Sequence, residues 1–180
     1  MADARHAIDE SQLHSELAAL HRQSYAWALN CCRFNVVDAE NALQSVYLKI
    51  LQGRAIYLGR SAFRTWLFAV IRLTAAEERR RSFVFGRRLV DDPVALAEAP
   101  SPDEAVDVVY RREIHASLRG ALASLAPRQR EVLHLVFYED MTLEEAARVM
   151  RISIGSTHVH YARGKRRLRD LLPDLRETTR

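Results

Sequence analysis

Residues 125–172 read LAPRQREVLHLVFYEDMTLEEAARVMRISIGSTHVHYARGKRRLRDLL, and the order of signals in this stretch decides the fold. Pro127 stands where a first-turn proline is tolerated, because the N–H it lacks has no helical partner there, and it opens a helix over 128–138. Thr142, followed three residues later by Glu145, is a capping box. Each of the two side chains meets the other's backbone N–H, which fixes the start of a short helix. Ala146, Ala147 and Met150 give that helix a small face for close packing. Arg151-Ile152-Ser153 forms a short turn with no glycine to adopt a left-handed backbone easily, and Ser153 can cap the helix that follows. Helix, short helix, tight turn and longer basic helix is the layout of a helix-turn-helix, whose last helix enters the major groove of DNA.

The last helix divides into two faces. Thr157, Tyr161, Gly164 and Leu168, in steps of four, three and four, form the stripe expected to face inward. Ser156, His158, Val159, His160 and Arg163 then lie on or near the open face, and Lys165, Arg166, Arg167 and Arg169 continue the positive charge. Hydroxyls and imidazoles at the tip suit base edges, and the cations behind them suit phosphates. Basic residues near a helix C-terminus also favour the helix dipole for purely structural reasons. The capping box, short turn and small face tip the balance toward DNA. His158 and His160 are two residues apart, about 200° around a helix, so they do not share a metal.

Upstream, apolar positions recur at helical spacing. Leu13, Leu17, Leu20, Tyr25, Ala28, Leu29 and Cys32 suggest one long amphipathic helix. Asp38 is a candidate N-cap for a second, with Ala42, Leu43, Val46, Tyr47, Ile50 and Leu51 apolar and Gly53 at its end. After a loop over 54–60 that holds Tyr57, Ser61 is expected to cap a third through Phe63, Trp66, Leu67, Val70, Ile71 and Ala75 to Arg79-Arg80-Arg81. No strand pattern is evident, so the expected class is all-α. Two small helical domains, 1–88 and 111–180, are joined by a flexible acidic linker over 89–110 that holds Pro93, Pro100 and Pro102. Helix is expected to resume near Asp103, with Ile114, Leu118, Ala121, Leu122 and Leu125 on one face.

Charge follows the same division. Residues 1–90 carry 13 Lys/Arg and 8 Asp/Glu, residues 91–110 carry 6 acids and no base, and residues 111–180 carry 14 and 9. Of the 27 positive residues only Lys49 and Lys165 are lysines. Arginine suits bidentate phosphate contacts, although a GC-rich genome produces the same bias. Cys31 and Cys32 are adjacent, which gives neither a disulfide framework nor a metal-binding spacing. No signal-peptide core or long apolar run is seen, so a cytoplasmic location is expected.

These motifs resemble those of the extracytoplasmic-function (ECF) group of bacterial sigma-70-type sigma factors. The family's C-terminal pattern is matched by Leu125, Arg130, Glu131, Val132, Leu133, Thr142, Glu145, Ala146, Ala147, Ser153, Gly155, Arg163 and Leu168, with its proline one residue later as Pro127. Asp38-Ala39-Glu40-Asn41-Ala42-Leu43-Gln44 is similar to the segment that docks on the β′ clamp helices of core RNA polymerase. Phe63-Arg64-Thr65-Trp66-Leu67-Phe68 is similar to the segment that opens and captures the −10 promoter element.

The resemblance implies a sigma factor that binds core polymerase, at the β′ clamp helices and β flap, and promoter DNA. Many relatives are held by an anti-sigma factor, and a catalytic role, a cofactor, a metal or a small-molecule substrate is not expected. It implies core docking for Asp38, Glu40, Asn41 and Gln44. Contacts to the −10 element fall to Tyr57, Arg60, Arg64, Trp66, Arg72 and Leu73, with Trp66 mainly structural and Tyr57 the better base contact. Contacts to the −35 element fall to Ser156, His158, Val159, His160, Arg163 and Arg167, with Arg128 and Arg130 near phosphate. Unstacked bases of an opened strand suit aromatic surfaces beside a basic track. The acidic linker is either a solvated tether or, as in the family, a segment that threads toward the catalytic centre of polymerase.

Departures from the family pattern are specific. Leu73 stands where relatives carry an Asn that lines the pocket of a flipped −10 base, so either the base preference differs or the loop makes that contact. Asn41 replaces an Asp, Glu77 another Asp, and Asp140 and Arg151 replace glycines. The rival reading is a stand-alone helix-turn-helix regulator, which shares the C-terminal block but does not need Asp38 to Gln44 or Phe63 to Phe68. A small hydrolase using His6, His14, His21 or the Glu139-Asp140 and Glu144-Glu145 carboxylates lacks any nucleophile–base or metal-ligand spacing.

Overall fold

The computed structural model describes residues 8–84 and 117–172, and their regular structure is all helical. Helix α1 (Glu10–Ala19) starts at Asp9, whose carboxylate accepts the Gln12 N–H at 2.7 Å. Helix α2 (His21–Cys31) follows at once. The single long helix expected through Cys32 is therefore two. Leu20, at φ −94° and ψ 3°, leaves the helical range, and the redirected α1 brings Leu13 into the same core as Trp27.

Helix α3 (Val36–Leu51) is capped by Asn35, whose side-chain oxygen accepts the Asp38 N–H at 2.9 Å. Asp38 is thus not the N-cap but a first-turn residue, where its carboxylate meets the positive end of the helix dipole. Gly53 lies two residues past the end of α3 with φ +67°, a backbone that glycine adopts without a Cβ clash. Helix α4 (Phe63–Val84) begins two residues beyond Ser61. The Ser61 hydroxyl bonds the Ala62 carbonyl instead of capping, and the Ala62 carbonyl accepts the first N–H bond of the helix, from Trp66.

Helices α2, α3 and α4 pack on one another around Trp27, Ala28, Ala42, Val46, Leu67, Phe68 and Ile71, all buried. Trp27 stacks on Phe68 at 5.9 Å and donates its indole N–H to the Phe68 carbonyl at 2.9 Å, which satisfies its one polar atom. Burying each large apolar side chain of this set is worth about 1.5–3 kcal/mol.

Residues 117–123 are helical and place Ala121 and Leu125 in contact with the interior. Three labelled helices follow, α5 (Pro127–Phe137), α6 (Leu143–Met150) and α7 (Ile154–Leu171). The acidic linker over 89–110 and the helix expected near Asp103, with Ile114, lie outside the described residues. The two helical blocks meet directly, α2 against α5 and α4 against α6, and their buried residues form one continuous apolar cluster. Among the described residues no helix is long and apolar enough to cross a membrane.

Candidate nucleic-acid interface

The helix-turn-helix is built as the sequence expects. Thr142 Oγ1 accepts the Glu145 N–H at 3.2 Å and Glu145 Oε2 accepts the Thr142 N–H at 2.9 Å, completing the capping box. Ala146, Ala147, Val149 and Met150 are buried. Arg151 adopts the left-handed conformation itself, φ 52° and ψ 49°, without the help of a glycine. Ser153 then caps α7 by accepting the Ser156 N–H at 3.1 Å.

α7 lies against α5 and buries Thr157 and Gly164, with Tyr161 and Leu168 half-buried beside them. Gly164 is chosen for space. A Cβ there would lie 3.1 Å from Leu133 Cδ1 and 3.3 Å from the Gln129 carbonyl oxygen. With that stripe packed inward, Ser156, His158, Val159, Arg163, Lys165, Arg166, Arg167 and Arg169 are exposed together. His160 is half-buried. Burial, then the charges of Arg128 and Arg163, hold its imidazole below the usual histidine range, against a smaller pull from Glu131. Exposed Arg128, from the first turn of α5, is near enough for its charge to act on His160, at the edge of this basic face. Arg130 does not join it. It is buried, with its guanidinium 5.9 Å above the Phe34 ring, so the phosphate contact expected of Arg130 is not available in this arrangement.

On the opposite block, α3 turns Glu40, Asn41 and Gln44 to solvent, with Asp38 half-buried at their head. Val37, Leu48 and Leu51, at 64%, 56% and 57% exposure, lie at helical spacing on the same side, so the face is an apolar and polar stripe. The sequence reading places Leu51 among the apolar positions of this helix and singles out none of the three as exposed. The step of three from Leu48 to Leu51 was the available signal.

The loop before α4 holds an aromatic cluster. Tyr57 lies edge-on to Phe63 at 5.2 Å and 5.4 Å from Trp66, and its hydroxyl donates to the Ser61 carbonyl at 2.6 Å. Phe63 is buried, whereas Tyr57 and Trp66 are half-buried. Arg60 is exposed, and Arg64 and Leu73 are half-buried. Arg72 is engaged elsewhere: its Nε donates to Glu131 Oε2 of α5 at 2.9 Å. Glu77 pairs with Lys49 at 2.6 Å and so ties α4 to α3. Cys31 and Cys32 are free and buried. Burial pushes the Cys31 thiol well up and the Cys32 thiol to about 12.

Residues 121–170 match the family Sigma-70, region 4. The chain is 31% identical over 146 residues, 78% of its length and 73% of the relative's, to a Bacillus subtilis protein described as ECF RNA polymerase sigma factor SigX. It is 28% identical over 137 residues, 76% of each chain, to RNA polymerase sigma factor CarQ of Myxococcus xanthus. Among solved structures, it resembles the sigma factor RpoE in complex with the anti-sigma factor NepR from Bartonella quintana. That match has a TM-score of 0.68 at 21% identity and covers 91% of this chain and 98% of the other. A second fold match is CnrH in complex with the cytosolic domain of CnrY, with TM-score 0.62, 21% identity, and 91% and 90% coverage.

Proposed function

We propose a division of labour that starts from identity: the chain belongs to the ECF group of sigma-70-type sigma factors, RNA polymerase sigma factors that direct transcription initiation. The observation that carries this over a stand-alone regulator is the extent of the likeness. A regulator would share residues 121–170, but the alignment to SigX runs over 146 residues and so takes in the N-terminal block as well.

In our reading the chain binds core polymerase and promoter DNA and acts by binding rather than by catalysis, in the cytoplasm. Residues 1–88 serve polymerase docking and the −10 element, 89–110 link the blocks, and 111–180 read the −35 element. The α3 stripe of Glu40, Asn41 and Gln44, headed by Asp38, is assigned to the β′ clamp helices, and its exposed Val37, Leu48 and Leu51 supply apolar area that a solvated face does not need. Tyr57, Trp66, Arg60, Arg64, Arg72 and Leu73 are assigned to the −10 strand. Ser156, His158, Val159, His160, Arg163 and Arg167 are assigned to the −35 duplex, and the exposed basic face of α7 supports that assignment. The β flap and an anti-sigma factor complete the expected partners. One solved protein of this fold is bound to such a factor, NepR, and another to the cytosolic domain of CnrY.

The test is co-purification with core RNA polymerase followed by run-off transcription from genomic fragments. Stable association and discrete new transcripts are expected. DNA binding with no polymerase association would return the chain to the stand-alone class.

A further inference from the structure

The exposed surface of α7 is not uniformly basic. At about 100° per residue, Gly155, Val159 and Ala162 fall within about 60° of one another, on the side opposite the buried Thr157 and Gly164. All three are exposed, Val159 at 46%. Ser156, Arg163 and Arg167 lie to one side of this ridge, and His158, Lys165 and Arg169 to the other. A single exposed valine is ordinary on a protein surface. A small apolar ridge with basic residues on both flanks is more specific. It fits a helix seated in a groove, its flanks toward the two sugar-phosphate strands and its ridge toward the base edges.

Gly155 supports the same placement. Gly164 is needed for space inside the protein, but a Cβ at Gly155 would meet nothing within 4 Å. Glycine weakens a helix relative to alanine, and no neighbour within the chain requires it at this position. The room it leaves is on the outside, where a partner's surface can approach the backbone closely.

The polar groups at the tip are less free than the ridge. Ser153 Oγ donates to the Ser156 hydroxyl at 2.9 Å, and the Ser156 N–H is taken by the cap. His160 is half-buried. Base chemistry then selects the target. In the major groove guanine, cytosine and adenine are told apart by hydrogen-bonding atoms, whereas thymine alone adds a methyl group. Valine and alanine side chains carry neither donor nor acceptor, so they discriminate through that methyl.

Resting on the −35 assignment above, we propose that Val159, with Ala162 beside it, reads the 5-methyl group of a thymine in the −35 element, and that Gly155 lets the helix approach closely enough for the contact. Recognition is then divided on one helix: the flanking cations set register on phosphate, and the ridge sets base preference.

The test uses the full chain bound to core RNA polymerase and a promoter recovered by the run-off experiment. Each thymine of the −35 element is replaced in turn by deoxyuridine, which removes the methyl and keeps the base pair. At one position the exchange is expected to weaken binding by roughly three- to fivefold, the worth of one buried methyl. Val159→Ser is expected to erase that difference between thymine and uracil, and Val159→Ile to keep it. Gly155→Leu is expected to leave the urea midpoint of the free chain in place and to weaken promoter binding by roughly tenfold or more. A −35 element in which every thymine tolerates uracil overturns the methyl contact, as does a thymine preference that survives in Val159→Ser. A Gly155→Leu chain that binds as tightly as the native one overturns the close approach. Failure to recover any polymerase-dependent promoter sinks the sigma-factor reading and the proposal with it, whereas indifference to uracil sinks the proposal alone.

Discussion

α4 and α7 are both long helices bearing several arginines, yet they hold their charge in opposite ways. On α4, Arg72 is bound to Glu131, Arg79 donates to the Cys31 carbonyl at 2.7 Å, and Arg81 reaches Glu78 at 3.5 Å. On α7, Arg163, Lys165, Arg166, Arg167 and Arg169 are exposed, and the helix fully buries only Thr157 and Gly164. Arg72 and Arg79 of α4 are tied into the packing, whereas the charge of α7 is open to solvent. Substitutions at the buried contacts of the N-terminal block should therefore be read out as stability, and substitutions of the exposed cations of α7 as binding.

The sharpest way to break this contrast is at Trp27, fully buried against α4. Trp27→Ala is expected to lower the free energy of unfolding by about 3–5 kcal/mol, measured by urea denaturation, through the cavity left and the lost bond to the Phe68 carbonyl. A loss below about 1 kcal/mol would show that the core does not depend on it.

Neighbouring residues on α7 separate the two kinds of effect. Gly164→Val should cost about 1–3 kcal/mol of stability, because the new side chain is driven into Leu133 and Gln129. Arg163→Ala should leave the urea midpoint alone and cost about 1–3 kcal/mol in affinity for a −35 duplex, with a shallower salt dependence. Unchanged affinity and transcription would remove Arg163 from the recognition surface.

Smaller effects refine the same block. Thr142→Ala removes the capping-box acceptor and should cost about 1 kcal/mol, seen as a lower thermal midpoint with little change in DNA affinity at temperatures well below it. His160 sharpens the electrostatics. Its folded pKa lies below the unfolded value, so the unfolded chain binds the proton more readily as pH falls through the usual histidine range. The native protein is therefore expected to lose a little stability between pH 8 and pH 6, and His160→Asn to lose less over that window. Equal slopes for the two proteins would place the pH response elsewhere.

What could be read from the sequence follows the same division. The capping box, the Pro127 start, the Ser153 cap and the two faces of α7 were legible because each depends on residues three or four apart. The all-α class was legible from helical spacing. Helix ends in the N-terminal block were not: Asn35 rather than Asp38 caps α3, since both residue types cap equally well and only the backbone decides. Leu20 breaks α1 from α2 although leucine favours helix, because the tertiary core redirects the chain there. Contacts between blocks were illegible altogether. Nothing local to Arg72 announces a partner 59 residues away, and nothing in Arg130 announces that it is buried over a phenylalanine.

The scarcity of lysine has a practical consequence. Lys49 donates to Glu77 at 2.6 Å and to Thr74 at 3.0 Å, and its side chain is only 28% exposed. Lys165 is exposed, its ammonium 5.2 Å from the centre of the Tyr161 ring on the recognition helix. Apart from the N-terminal amine, an acylating dye or a cross-linker therefore meets essentially one open lysine in this chain, and it sits on the exposed basic helix α7. The native protein can be tagged for fluorescence on α7 without introducing a single substitution.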